Sequence, residues 1–283
     1  MITWKIIQDF LVWLEILKNS SKYTTRNYAL YLRRFLTFLD NKEPTLYLIH
    51  DFRVHLYNLN YSTNYVNLHI AAIRSLLKYM FKHDLPTLHY SKVDVGKKEF
   101  KMPTYLDRGE LQKMFDIRIP NKLLDARNRA ILRLLYSTGV RLAELLRMDI
   151  DAYRYPEMMI VGKGRKPRVI FISQDAHVAV TKYLKLRKEV KGPLFVSHGR
   201  NRDKRLSTVS IESIVRNYAI KAGITKKVTP HAIRHTFATE LRKKGVDITF
   251  IKDFLGHSSI LTTTIYLHVS NQELKNIHQT FLK

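Results

Sequence analysis

Met158 to Ile172 reads MMIVGKGRKPRVIFI, and this stretch decides between an all-helical chain and a mixed one. Two short β-prone runs, around Ile160 and over Val169–Ile172, flank Gly162-Lys163-Gly164-Arg165-Lys166-Pro167, which is rich in turn formers. The pattern predicts a hairpin with a lysine-rich tip. On both sides the apolar residues recur at helical spacing, so the hairpin is expected as the small β component of a mainly α protein. A lysine on such a tip is by default a solvated turn residue. It is also able to reach a nucleic-acid groove as a compact donor, and neighbouring cations would lower its pKa toward that of a usable proton donor. Lys163 is the first candidate and Lys166 its neighbour in competition.

Upstream, the helical run ending at Tyr136 is followed by Ser137-Thr138-Gly139-Val140-Arg141-Leu142-Ala143-Glu144-Leu145. Gly139 suits the left-handed residue that ends a helix. Arg141 then falls near the start of the next helix, with Glu144 three residues on and on the same face. Such an arginine can hold a phosphate through two parallel hydrogen bonds while the carboxylate orients it; the plain alternative is a surface ion pair. Downstream, Thr229-Pro230-His231-Ala232-Ile233-Arg234-His235 has a natural N-cap in Thr229 and a natural first-turn residue in Pro230. His231 and Arg234 therefore share a face at the positive end of a helix, where anions bind. His231 and His235, four apart, also have the spacing of zinc ligands, but the glutamate of that motif is missing and an arginine stands between them. Further on, Gly256 is placed to end a helix from Thr249 to Leu255, His257 then falls in a turn, Ser258 is placed to cap the next helix, and Tyr266 lies on it.

Residues 1 to 88 read as four helices: an amphipathic one through Ile6, Ile7, Phe10, Leu11 and Leu14, a second capped by Thr24 or Thr25, a third from Leu46 to Leu59, and a fourth from Ser62 through Phe81. From 89 to 103 the periodicity fades and Lys92, Lys97, Lys98 and Lys101 accumulate, which predicts an exposed basic linker before a second domain over 104–283. The chain has 283 residues, with 49 Lys and Arg against 24 Asp and Glu, for a net charge of +25. An excess of that size opposes compaction unless a polyanion shares the surface, which points to nucleic acid, with a ribosomal or membrane-surface role as the alternatives. With no cysteine, thiol chemistry, cysteine metal sites and disulfides are excluded. No apolar run approaches the roughly 18 residues of a membrane span, so a cytoplasmic, nucleoid-associated protein is expected.

The segments TGVRLAEL, VGKGRKPR, TPHAIRHTFATEL and LGHSSILTTTIYLHV, in this order and at this spacing, resemble the tyrosine recombinases of the phage integrase family, specifically the Xer-like branch. The likeness spans 104–270, and the N-terminal helices are similar, more loosely, to the family's SAM-like core-binding domain. The resemblance implies a helical SAM-like domain followed by a mixed α/β catalytic domain. By position it makes Arg141 and Arg234 the clamp on the scissile phosphate, Lys163 the general acid, His231 an aid to proton transfer from the nucleophile, His257 a phosphate hydrogen-bond donor, Tyr266 the nucleophile and Glu144 the support of Arg141. It implies neither metal nor other cofactor. It implies double-stranded DNA with an inverted-repeat site as partner and a tetramer on two sites, with a tail at about 271–283 (Leu274, Ile277, Phe281 and Leu282 in a nearly helical stripe) docking on a neighbouring protomer. Arg26, Arg74, Lys78, Arg165 and Lys166 are candidate DNA contacts. A relaxing topoisomerase of type IB and a catalytically silent DNA-binding protein are the competing functions, and no extra arm-binding domain is expected.

Overall fold

A computed structural model describes residues 1–97, 102–162, 167–189, 191–199 and 203–256. It divides into two compact units, Met1–Lys101 and Met102–Lys283. No helix among the described residues is long and apolar enough to cross a membrane.

The first unit is built from α1 (Trp4–Ile16), α2 (Lys22–Leu39), α3 (Leu46–Asn58) and α4 (Thr63–Lys82). Thr3, Ser21, Thr45 and Ser62 cap them, each accepting a backbone N–H of the first turn on its hydroxyl oxygen. The cap of α2 is thus Ser21 and not Thr24 or Thr25. Ser21 keeps extended backbone and accepts the Thr24 N–H at 3.2 Å, while the Thr25 hydroxyl, already inside the first turn, donates to the Ser21 carbonyl at 3.3 Å. Apolar faces meet around Phe10, Leu32, Phe35, Phe52, Ile70 and Leu77, all fully buried.

The expected basic linker is corrected in its first half. A 3-10 turn, Tyr90–Lys92, leads to Val93, which is buried in the first core, and the Asn67 amide donates to the carbonyls of Gly96 and Lys97 at 3.0 and 3.1 Å. One buried valine and one buried amide hold the chain down where composition alone reads as free.

The second unit runs α5 (Arg108–Asp116), α6 (Lys122–Thr138), α7 (Leu142–Leu146), β1 (Glu157–Val161), β2 (Pro167–Phe171), α8 (Gln174–Arg187), α9 (Thr208–Lys221), α10 (Pro230–Lys243) and α11 (Ile248–Leu255). A reciprocal capping box between Asp107 and Glu110, both bonds 2.8 Å, starts α5. The two strands pair antiparallel, with Met159 opposite Val169 and Ile160 opposite Arg168. Alternation sends Met158, Ile160 and Ile170 into the core and leaves Met159, Val161, Val169 and Phe171 exposed. The Ser173 N–H, just past β2, donates to Ser137 Oγ at 2.7 Å, which ties the hairpin to the end of α6.

Candidate phosphate site

The site is assembled from the ends of four helices, α6, α7, α10 and α11. Helix α6 stops at Gly139, whose φ of +57° is open to glycine at little cost. A Cβ there would also meet Phe237 of α10 at 2.5 Å, so the same glycine lets α6 and α10 come together. Two residues later Arg141 occupies the N-cap of α7. Its backbone N–H donates to Glu144 Oε2 at 2.8 Å, and its Nη1 to Glu144 Oε1 at 3.1 Å.

Arg234 lies in the second turn of α10, which begins with Thr229 as cap and Pro230 at its first position. It is only 2% exposed. Its Nη1 donates to the Gly139 carbonyl at 2.6 Å and its Nη2 to the Leu255 carbonyl at 2.7 Å. Arg141 Nη2 donates to the next carbonyl, that of Gly256, at 3.1 Å. Two guanidiniums, 93 positions apart in sequence, therefore converge on consecutive carbonyls at the C-terminus of α11, a helix end that carries partial negative charge. Arg141 remains about a third exposed while Arg234 is closed in behind it.

Glu144 is buried at 4% exposure and accepts from two arginines. Arg168, on β2, places Nη1 on Oε1 at 2.9 Å and Nη2 on Oε2 at 2.7 Å. Burial works to raise the Glu144 carboxyl, but the Arg168 hydrogen bonds, the Arg141 backbone N–H and the charge of both guanidiniums outweigh it and hold the group below the ordinary carboxylate range. One carboxylate among Arg141, Arg168 and Arg234 leaves the cluster with a surplus of positive charge, which suits an anion. His231, in the first turn of α10, stays open to solvent. Partial desolvation, then the charges of Arg234 and Arg141, draw its imidazole below the usual histidine value, so the neutral form prevails at pH 7.

A model of the phage integrase family matches residues 104–273, and one of the phage integrase N-terminal SAM-like domain matches 7–83. The chain belongs to the phage integrase family. It is similar to the tyrosine recombinase XerA of Pyrococcus horikoshii, 34% identical with 95% of this chain and 91% of the relative covered. Among solved structures it is similar to that of a XerA recombinase, 32% identical over 98% and 97% of the two chains with a TM-score of 0.55. It also resembles a XerH site-specific recombinase solved on palindromic difH substrate, 22% identical over 94% and 82% with a TM-score of 0.74, a likeness of fold.

Of the residues singled out for this tyrosine recombinase, the structure brings together Arg141, Glu144, His231 and Arg234. Lys163, Arg165, Lys166, His257 and Tyr266 lie outside the described residues. His235 does not join the cluster as a ligand. It is buried, its pKa is pushed down to about 4 by burial and then by His231, and its ring meets Tyr105 edge-on at 6.0 Å. Among the described residues no group of three or more His, Cys, Asp or Glu is placed to hold a metal. In the first unit Arg26 is exposed on α2, Arg74 is half-buried on α4, and Lys78 of α4 is exposed with its Nζ 5.5 Å from the Tyr90 ring centre. The residue that the sequence reading passed over is Arg168. It stands in the middle of the quoted stretch, on the strand beyond the turn, and one signal was available: an arginine on an alternating strand, flanked by Pro167 and Val169, at a position that alternation turns inward together with Ile170.

Proposed function

We propose that this chain cleaves and rejoins double-stranded DNA at specific inverted-repeat sites through a 3′-phosphotyrosine on Tyr266. The observation that carries the reading is the convergence of Arg141 and Arg234 on the Leu255 and Gly256 carbonyls, directly before His257 in the chain. A scissile phosphate beside them would take the place of weak carbonyl acceptors with two charge-assisted pairs. In the reaction the Tyr266 hydroxyl oxygen attacks phosphorus and passes its proton toward the neutral His231 imidazole. The P–O5′ bond breaks, and the leaving 5′-oxygen takes a proton from Lys163. Arg141 and Arg234, with a hydrogen bond from His257, stabilise the charge that develops on the non-bridging oxygens. The covalent ester keeps the bond energy, so a 5′-hydroxyl from another strand reverses the step without a nucleotide cofactor. This chemistry calls for no metal.

Arg26, Arg74, Lys78, Arg165 and Lys166 are proposed to contact the DNA backbone. The working assembly is a tetramer on two sites, with the 271–283 segment docked on a neighbouring protomer, acting on nucleoid DNA in the cytoplasm; Xer-like dimer resolution is favoured over mobile-element integration. The test is a nicked suicide duplex bearing a site selected from random DNA. The wild-type protein is expected to trap a covalent adduct and Tyr266→Phe none. Equal behaviour of the two proteins would refute the reading. Relaxation of any supercoiled plasmid without site preference would move the assignment to a topoisomerase.

A further inference from the structure

We infer that Arg168 is a positioning residue for the phosphate site: by gripping Glu144 through both carboxylate oxygens and packing against the Gly256 turn, it sets the Arg141 guanidinium for its substrate. The inference rests on Arg141 acting on a phosphate, as proposed above.

Arg141 has two anchors, Glu144 Oε1 at 3.1 Å and the Gly256 carbonyl at 3.1 Å. Arg168 bonds the first and packs against the residue that bears the second. Its two terminal nitrogens meet the two oxygens of Glu144 at 2.9 and 2.7 Å, the planar fork-to-fork geometry that fixes a carboxylate in rotation as well as position. Its Cδ and Nη1 also stand 2.9 Å from where a Cβ on Gly256 would be, so the arginine lies flat on the turn whose carbonyl Arg141 uses. The order of exposure agrees. Arg168 is 12% exposed, Glu144 3% and Arg141 32% by side chain, so Arg168 sits behind the carboxylate and Arg141 in front of it.

Local structure makes such support necessary. Helix α7 has five residues, too few to hold its own first turn rigid. Arg141, at its N-cap, takes its backbone direction from the Glu144 carboxylate, and the Glu144 carboxylate takes its plane from Arg168 on the hairpin. Stability alone does not account for the pair, because a buried ion pair contributes about as much as a well-packed apolar pair of the same volume. What an apolar pair cannot supply is a fixed orientation for a third, solvent-facing guanidinium. Lysine cannot supply it either, since one ammonium does not match two carboxylate oxygens in a plane.

The experiment measures single-turnover adduct formation on the selected suicide duplex at saturating protein, the Kd for the same duplex, and thermal unfolding, for Arg168→Lys in the wild-type and in the Glu144→Gln backgrounds. Arg168→Lys keeps the charge beside Glu144, and the neutral pair Glu144→Gln/Arg168→Gln serves in its place if that variant fails to fold. A positioning role predicts an adduct rate lowered on the order of tenfold to a hundredfold with Kd little changed. It also predicts no further loss when either Arg168 change is added to Glu144→Gln, because the effect passes through that carboxylate. A saturated adduct rate equal to wild type, whatever the unfolding temperature, overturns the inference, and so does a full additional loss in the Glu144→Gln background. If the wild-type protein itself traps no adduct, the proposed function falls and the inference falls with it.

Discussion

Glu144 carries a prediction that separates charge from shape. Its carboxyl is held below the ordinary range in the folded chain, while in the unfolded chain it titrates near 4.5. A depressed folded value means that the unfolded state binds the proton more readily. The stabilisation is therefore fully present above about pH 4.5 and is lost as pH falls toward and through the folded value. Glu144→Gln removes that dependence and leaves Arg168, 12% exposed, without its counter-charge. The variant is expected to unfold about 3 kcal/mol more easily at pH 7, near the lower end for breaking a buried pair. Denaturant titrations at pH 7 and pH 4 check it: the deficit should shrink at the acid end, and a deficit that is the same at both would mean that the carboxylate's charge contributes nothing.

At the scale of elements, the junction of α6 and α10 hangs on Gly139. Its φ of +57° and a Cβ position 2.5 Å from Phe237 Cδ1 give two separate costs to a side chain there. Gly139→Ala should lose about 1–2 kcal/mol to left-handed backbone and about 1–3 kcal/mol more to overpacking. Adding Phe237→Leu should return much of the second share and none of the first, a partition that equilibrium unfolding of Gly139→Ala, Phe237→Leu and the double variant resolves; full recovery would remove the backbone share from the account. The same junction shows what was legible in the chain. Gly139, Thr229-Pro230 and Gly256 announce helix ends through local chemistry, and the structure has all three at those ends. Thr24 and Thr25 mislead because any hydroxyl near a helix start is a plausible cap, and only the extended backbone of Ser21 decides between them. The 89–97 segment reads as free because a single valine and one amide contact leave no periodic trace. Arg168 does not announce itself because enclosed arginines look alike in sequence. Arg127 is enclosed more deeply, yet it serves the Val196 carbonyl and the Asn128 side chain, and no local pattern distinguishes a structural arginine from one that reaches a neighbour's carboxylate across 24 positions.

Over the whole molecule the decisive quantity is charge. The chain holds 49 Lys and Arg and 24 Asp and Glu, so even if every acid were paired once, 49 − 24 = 25 cations would remain without an acidic counterpart. Each unit has its own buried apolar core, centred in one on residues such as Phe35 and Ile70 and in the other on residues such as Leu134 and Tyr183. Folding therefore does not call for cations on the surface, and the repulsion among them is a standing cost. A polyanionic partner offsets it through release of condensed counterions, which makes binding steeply dependent on salt. For a protein meeting roughly 6–10 phosphates, affinity for a fluorescent duplex of random sequence should fall by about 10³–10⁵ between 50 and 200 mM salt. Anisotropy titrations across that range give the slope directly. Reversing one of the helix-borne cations, as in Lys78→Glu, should flatten it, because a lost phosphate contact lowers the number of ions released. A slope near zero would leave the surplus charge without a nucleic-acid role, however well the arginine cluster is formed.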